Sequence, residues 1–231
     1  TNTFMMGLAS GGGNQQEQQQ QTSLGVPSIG AVDVLGTDSV RFTFSYGGSN
    51  QIGFRLLNEQ NQTIVQVADS QATSITETGF TDNTVVTGRR IVAYSTSTQG
   101  VPSAAYPDVY THIISVTPEL MSRVDDRIRV RINETPTNLA VAQSGIQFQL
   151  MTEGDISSAA IIDGQWVQTT DAVFEGTIPT QAYYVRVRSR NADGVETPWS
   201  NNVLIEGEAV IEDVELVVGL VVRTTEGTPV Q

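Results

Sequence analysis

Short segments in which apolar and polar residues alternate recur along the chain, and they constrain the fold more than any other feature. Residues 40–46 read VRFTFSY and residues 52–56 read IGFRL, so every second side chain is apolar. Further β-rich runs surround Ile64 and Ile91, and turn-forming stretches such as GGSN at 47–50 separate the runs. Short alternating strands at this spacing are typical of an all-β sandwich or barrel.

The alternating pattern then repeats, which indicates two related domains in tandem. A shift of 94 residues carries one apolar strand face onto another: Ile52, Phe54 and Leu56 fall on Ile146, Phe148 and Leu150. A shift of 88 carries DSVRFTF at 38–44 onto DRIRVRI at 126–132. We therefore predict domains at 26–113 and 114–207, an N-terminal tail at 1–25 and a C-terminal β extension at 208–231. The segment PELMSRVDD at 118–126 suits either one helical turn or the first strand of the second domain.

Residues 183–202 read YYVRVRSRNADGVETPWSNN, and this stretch resembles the F strand, FG loop and G strand of a fibronectin type III domain. The resemblance extends to both repeats. It implies that the Tyr183 ring lies in the core and that its hydroxyl bonds to backbone. The first repeat has Arg89 where Tyr183 stands, and Tyr106 approximately replaces Trp199. The resemblance implies a fibronectin III-like sandwich that acts as a spacer or binding module and is rarely catalytic.

Two sets of alternating arginines are predicted to line the outward faces of strands B and F, which belong to different sheets of this fold. They are Arg127, Arg129, Arg131 and Arg186, Arg188, Arg190. One interpretation is that they are solvated strand residues that prevent edge aggregation. The other is that they form a docking face for acidic neighbours, which include other copies of this chain.

The charge balance and two missing residue types limit the possible partners and chemistry. The formal net charge is −13, which disfavours nucleic acid as a partner because its recognition needs a cationic face. The sequence has no Cys and no Lys, since all 12 basic residues are Arg. Disulfides, thiol nucleophiles and lysine isopeptide links are therefore excluded. No apolar run is long enough to span a bilayer as a helix.

The sequence offers no constellation that predicts an active site. The single imidazole, His112, lies in a β-rich junction without a G-x-S-x-G nucleophile motif, so we expect a structural role for it. Carboxylate pairs such as Asp125 with Asp126, or Glu153 with Asp155, are expected to be solvated turn residues. We predict no catalytic residue, no cofactor and no metal site.

Two terminal segments are more apolar than a tail needs to be. The N-terminal segment carries Phe4, Met5, Met6 and Leu8 before a Gly- and Gln-rich linker, and it is either a remnant terminus or an anchor for a partner. The segment VELVVGLVV at 214–222 has one fully apolar strand face: Val214, Leu216, Val218, Leu220 and Val222. Such a strand needs a partner. It either pairs with its own domain or adds to a sheet of the next subunit.

These features predict a non-enzymatic structural subunit that joins copies of itself into an extracellular filament or surface appendage. Other structural proteins are possible further partners. The alternatives are a virion structural protein, such as a decoration, neck or fibre-attachment protein, and a ligand-binding or adhesion module. The chain opens at Thr1, which fits either a cleaved signal peptide or a removed initiator Met.

Overall fold

The computed structural model describes residues 24–152 and 162–209, with backbone alone at 162 and 163. The described chain forms two compact units. Unit 1 consists of residues 24–80 and 85–111, and unit 2 consists of residues 81–84 and of the described residues from 112 onward. This division differs from the sequence-based boundaries chiefly in residues 81–84. The described residues include no helix that is both long and apolar enough to cross a membrane.

Unit 1 is a sandwich of antiparallel strands. Its described strands are β1 (Ser28–Val34), β2 (Ser39–Ser45), β3 (Gly53–Leu57), β4 (Thr63–Val67), β5 (Ser74–Thr78), β6 (Val85–Val86), β7 (Arg90–Tyr94) and β8 (Val109–Tyr110). One sheet has the order β1-β2-β5 and the other β4-β3-β7, while β6 pairs with β8. Residues 99–106 follow β7 and bond to it through the amides of Gly100 and Ser103, while the Tyr106 amide bonds to the carbonyl of Arg89, just before that strand.

The core of unit 1 follows directly from the alternation in the sequence. Phe42 and Phe44 of β2 and Phe54 of β3 are buried, whereas the intervening residues are less buried or exposed. The rings of Phe44 and Phe54 lie 4.6 Å apart at a tilted angle, a favourable geometry for aromatic pairs. Tyr106 also belongs to this core, with its ring 5.1 Å from that of Phe42 and its hydroxyl donating to the Thr43 carbonyl at 2.6 Å.

Burial raises the pKa of the Tyr106 phenol well above its usual value near 10. Below about pH 10 the folded and unfolded chains both keep the phenolic proton. Above that pH only the unfolded chain ionises at this position, so the free energy of unfolding should fall by about 1.4 kcal/mol per pH unit. Denaturant unfolding of unit 1 between pH 9 and 11.5 measures this slope. Lys and Cys are missing from the sequence, so neither residue type contributes to this slope.

Tyr106→Phe is the matched control for that measurement. It loses the hydrogen bond to Thr43 at every pH, which lowers stability by a constant amount, but its alkaline slope should be shallower. Parallel curves for the two proteins would contradict the assignment.

Unit 2 repeats the arrangement of unit 1. Its described strands are β9 (Pro118–Val124), β10 (Arg127–Ile132), β11 (Gly145–Met151), β12 (Ile162–Asp163), β13 (Asp171–Phe174), β14 (Tyr183–Arg190) and β15 (Val203–Ile205). One sheet has the order β13-β10-β9 and the other β12-β11-β14-β15. The ambiguous segment PELMSRVDD thus forms a strand up to Val124, which pairs antiparallel with β10, and a turn at its last two residues.

The inward residues of β10, β11 and β14 form the second core. They are Ile128, Val130, Ile132, Ile146, Phe148, Leu150, Val185 and Val187. Tyr183 is buried, and its hydroxyl accepts a hydrogen bond from the Ile178 amide at 2.8 Å, as predicted from the resemblance. In unit 1 the equivalent Arg89 bonds to the Thr87 carbonyl at 2.8 Å and to Glu77. Both side chains tie down the loop before their strand, by different chemistry.

A serine side chain replaces a backbone acceptor at the same place in each unit. The Ile91 amide donates to Ser103 Oγ at 2.9 Å, and the Ser103 amide donates back to the Ile91 carbonyl at 2.8 Å. The Val187 amide and Ser200 form the same reciprocal pair at 3.0 and 2.8 Å. Each serine lies close after a proline in a stretch without regular strand structure. In a regular strand, a backbone carbonyl would accept the hydrogen bond from the facing amide. Here the serine hydroxyl accepts it instead.

Asn83 lies fully buried in unit 2 and uses both ends of its side chain. Its amide nitrogen donates to the carbonyls of Thr137 and Asn138, both at 3.0 Å, and to Ser144 Oγ at 2.9 Å. Its oxygen accepts from the Ala192 amide at 2.9 Å. The backbone has φ +48°, a left-handed conformation that Asn tolerates better than most residues. We call these contacts the Asn83 network.

Asn83→Ala should lower the free energy of unfolding of unit 2 by about 3 kcal/mol, because it leaves buried polar groups without partners. Trp166 and Trp199 are the two tryptophans of the chain and both lie in unit 2, so tryptophan fluorescence during urea unfolding reports on this unit. Asn83→Gly separates the two possible causes. Glycine suits the positive φ but lacks the side chain, so a near-native midpoint for Asn83→Gly would show that backbone strain, and not the network, matters.

Candidate interaction surfaces

The outward face of β14 carries a stack of arginines and tryptophans. The Arg186 and Arg188 guanidinium carbons lie 4.7 and 4.6 Å from the centre of the Trp199 ring. Arg188 and Arg190 lie 5.2 and 4.4 Å from the Trp166 ring. Cations at these distances from an indole face are attracted by its quadrupole. We call this set of five residues the Arg–Trp stack.

Polar side chains of the neighbouring strands fix the arginines of the stack. Arg186 Nε donates to Gln149 Oε1, and Arg188 Nε donates to Gln147 Oε1 at 2.8 Å. Arg188 also forms an ion pair with Glu196. Arg186 is only 6% exposed. The outward direction of these arginines was predicted, but Arg186 is neither a solvated residue nor a freely accessible docking group.

Unit 1 carries a smaller version of this arrangement on the corresponding sheet. The Arg55 guanidinium lies 4.2 Å from the centre of the Tyr94 ring. Its Nε donates to Gln66 Oε1 at 2.8 Å and its Nη1 to Gln99 Oε1 at 2.9 Å. Here the arginine is on β3 and the aromatic ring on β7, whereas in unit 2 the arginines are on β14 and the two tryptophans lie outside the strands. Because the positions differ, a comparison of the two repeats by sequence does not reveal the similarity.

The arginines of β10 form ion pairs across the other sheet of unit 2. Arg129 pairs with Asp171 of β13 at 2.9 Å, and Arg131 pairs with Glu119 of β9 at 3.0 Å. Arg127 pairs with Glu175 at 3.2 Å. All three pairs are substantially exposed, so each contributes at most about 1 kcal/mol to stability. The interpretation as solvated strand residues fits this set better than a cationic docking face.

The β9 strand is an open edge of this same sheet. It pairs with β10 on one side, and no strand of the described residues pairs with its other side. Leu120, Met121 and Val124 are 46%, 44% and 60% exposed along this edge. An exposed strand edge with apolar side chains is a ready template for another strand.

The structure places the single imidazole and one of the carboxylate pairs that the sequence analysis considered. The His112 carbonyl accepts a hydrogen bond from the Asn83 amide at 3.0 Å. Asp125 has φ +52° in the turn between β9 and β10, and the Asp126 carbonyl accepts from Thr177. Within the described residues there is no group of three or more His, Cys, Asp or Glu that could hold a metal ion. Glu153 and Asp155 lie outside the described residues.

The predicted N-terminal anchor, Phe4, Met5, Met6 and Leu8, also lies outside the described residues. The same holds for the predicted donor strand, Val214, Leu216, Val218, Leu220 and Val222.

The predicted position of Tyr106 requires a correction. The sequence comparison placed it approximately at the position of Trp199, but it is a core residue of unit 1, whereas Trp199 lies half-buried in the Arg–Trp stack.

The strand orders and the two cores define the class of protein. The chain is all-β and contains two tandem fibronectin type III-like sandwiches, each with a three-stranded sheet packed against the sheet that carries the F strand. No protein-family profile and no curated protein sequence matches the chain.

Solved structures of tandem fibronectin domains are similar to this chain. A two-domain fibronectin type III segment of chicken tenascin is 12% identical, with a TM-score of 0.49, and the match covers 78% of this chain and 98% of that one. The FN1–FN3 domains of chicken CNTN1 are 15% identical, with a TM-score of 0.38, and the match covers 80% of this chain and 67% of that one. The fold assignment itself rests on the strand order and the buried residues described above.

The Arg–Trp stack should stabilise unit 2 through Trp199. Trp199→Ala removes two cation–π contacts and the apolar contact area around them, so the free energy of unfolding of unit 2 should fall by about 2 kcal/mol. Urea unfolding followed by Trp166 fluorescence measures this change. Trp199→Phe, which keeps an aromatic face, should restore part of the loss. Equal midpoints for Trp199→Ala and the unaltered protein would show that the stack is not stabilising.

Proposed function

We propose that this chain is a non-enzymatic structural subunit, which joins copies of itself through its terminal segments into an extracellular filament or surface appendage. The general class, a structural or adhesion module, agrees with the fibronectin III-like fold. Since a fold alone does not determine function, the proposal of assembly through the terminal segments rests on the residues at the end of the second sandwich.

The observation that supports this part most is that the described strands and core of unit 2 end at residue 205. Ile205 of β15 is 1% exposed and packs in the same cluster as Ile128, Phe148 and Val185. The alternating segment 214–222 starts nine positions after this last described strand. Its apolar face supports a role in contact with another molecule.

The composition supports a non-covalent contact of this kind. Without Cys or Lys, neither disulfides nor lysine isopeptide bonds can join the copies. A net charge of −13 also makes copies repel one another at long range. Main-chain hydrogen bonds and apolar side chains of an added strand supply an attraction that does not depend on opposite charge. Head-to-tail use of such a contact builds filaments or rings.

One alternative is a ligand-binding or adhesion module, which the half-buried tryptophans of the Arg–Trp stack favour. In a virion structural protein, the second alternative, the segment with Phe4, Met5, Met6 and Leu8 would dock into a capsid or tail. Both alternatives predict a chain that does not polymerise through residues 214–222.

Light scattering after size-exclusion chromatography tests the proposal directly. The full chain should show a mass that rises with concentration, whereas a chain truncated after Gly207 should remain a monomer. The truncation keeps β15 and every described core residue of unit 2, and of the described residues it removes only the exposed Glu208 and Ala209, so its fold should persist.

A matched pair of substitutions controls for the length of the chain. Leu216→Glu with Leu220→Glu places charge on the apolar face and should abolish assembly. Val217→Glu with Val221→Glu adds the same charge to the opposite face and should weaken assembly much less. A full-length chain that stays monomeric at high concentration would refute the proposed assembly and favour the adhesion or virion alternative.

A further inference from the structure

The open edge of β9 differs from the other sheet edges in the number of apolar side chains that it exposes. Three of its seven residues, Leu120, Met121 and Val124, are large, apolar and at least 44% exposed. The edge strand β4 exposes Ile64 and the edge strand β13 exposes Val173. No large apolar residue of β1 or β5, the edges of the sheet β1-β2-β5, is exposed to this degree.

The charged residues of β9 do not protect this edge. Glu119 is paired with Arg131. Arg123 points toward the end of the sandwich, where it donates to the carbonyls of Ile178, Gln181 and Glu206. Edge strands are commonly blunted by free charges, especially Lys, by proline within the strand, by a β-bulge or by a covering loop. The register of β9 shifts once, at Met121, and Leu120 and Ser122 remain paired with β10 on either side of this irregularity. In β9 the only proline is the first residue, and both charged side chains are engaged elsewhere.

The described chain leaves unit 2 beside the end of β9. After β15 the Glu206 carbonyl bonds to Arg123, and the Glu208 amide donates to the Pro179 carbonyl at 2.8 Å. Ile205 pairs with Tyr183 at the start of β14, and residue 208 bonds to residue 179, which precedes that strand. The backbone therefore continues in the direction of β15, past the end of the sheet, when it reaches residue 208.

The sequence that follows does not favour a reversal back onto the same sandwich. Val210, Ile211, Glu212 and Asp213 separate the described chain from the apolar segment. Tight turns prefer Gly, Pro, Asn, Asp and Ser, and only Asp213 belongs to this group. Val and Ile favour an extended backbone. Since β9 ends where the chain leaves, pairing with it in the same molecule would need a full reversal within these few residues.

We propose that the β9 edge is the acceptor for residues 214–222 of a second copy of this chain. The inference rests on the proposed function, which names the donor segment, and it adds the surface that receives it. Leu120 is paired with Val130, a core residue, so it lies on the inner side of the sheet at its open edge. The face made by Val214, Leu216, Val218, Leu220 and Val222 would extend this inner side. Nine residues in a strand span about 30 Å, which exceeds the length of the seven-residue β9.

Cysteine crosslinking tests the acceptor, because the natural chain contains no Cys. Ser122 is exposed and pairs with Arg129 on the outer side of the sheet. The corresponding outer positions of the donor are Val217, Gly219 and Val221. Full-length Ser122→Cys is mixed in turn with Val217→Cys, Gly219→Cys and Val221→Cys, and the mixture is oxidised. Facing β-carbons in paired strands lie about 4.5–5.5 Å apart, so at least one register should give a disulfide. Gln66→Cys on the exposed edge strand β4 replaces Ser122→Cys in the control mixtures.

The expected result is a yield of disulfide-linked dimer with Ser122→Cys that is at least fivefold higher than the yield with Gln66→Cys. If the truncation after Gly207 abolishes assembly but crosslinks form equally or better at Gln66→Cys, the acceptor is wrong while the proposed function stands. If double variants, such as Ser122→Cys with Gly219→Cys, form only an internal disulfide in monomers, the segment pairs within its own chain. That outcome overturns both proposals.

A pair of charge substitutions gives a second readout that needs no oxidation. Leu120→Glu should raise the concentration needed for half-maximal assembly at least tenfold. Val173→Glu is the control, because Val173 is 50% exposed on β13 of the same sheet, and it should change that concentration less than twofold. Equal effects of the two substitutions would contradict an acceptor at β9. Retained tryptophan fluorescence and urea midpoints establish that both variants are folded.

Discussion

Backbone hydrogen bonding at the edges of the sheets is the constraint on which this structure depends. Every amide inside a sandwich needs an acceptor, and the irregular stretches after β7 and β14 would leave some without one. Ser103 and Ser200 provide the missing acceptor in the same way. The serine hydroxyl accepts a hydrogen bond from an amide of the strand, and the serine amide donates one to the carbonyl of the same strand residue. The sheets can therefore close without regular strands at these positions. Where no such device exists, as along β9, the edge stays open to another strand.

The strands could be predicted from the sequence because a two-residue period places alternate side chains on one face. The segments around Phe42 and Phe54 are β2 and β3, and the repeat of their pattern gave β10 and β11. Tyr183 was also placed correctly, through the resemblance of residues 183–202 to a fibronectin type III domain. Local patterns of this kind need no knowledge of distant residues.

The remaining features depend on pairs that are far apart in the chain, which alternation cannot specify. The Asn83 network joins residue 83 to residues 137, 138, 144 and 192, and nothing in the sequence TDNT indicates those partners. The burial of Arg186 results from Trp199 and Gln149, which belong to other strands or loops. Tyr106 looked like a counterpart of Trp199 by position alone, but the bond from its hydroxyl to Thr43 holds it in the core.

The placement of the arginines explains why an acidic chain of this kind would use a strand edge for assembly. Six arginines form ion pairs with carboxylates of their own unit, and Arg55 is held by two glutamines and a tyrosine. Little positive charge is thus available to attract the surplus carboxylates of another copy. Salt screens the repulsion between acidic surfaces at distances beyond the Debye length, which is about 8 Å at physiological salt. Main-chain hydrogen bonds, in contrast, form only at contact. The β9 edge exposes three apolar side chains, and both of its charged residues bond within unit 2, so contact along this edge needs no opposite charge on the other copy.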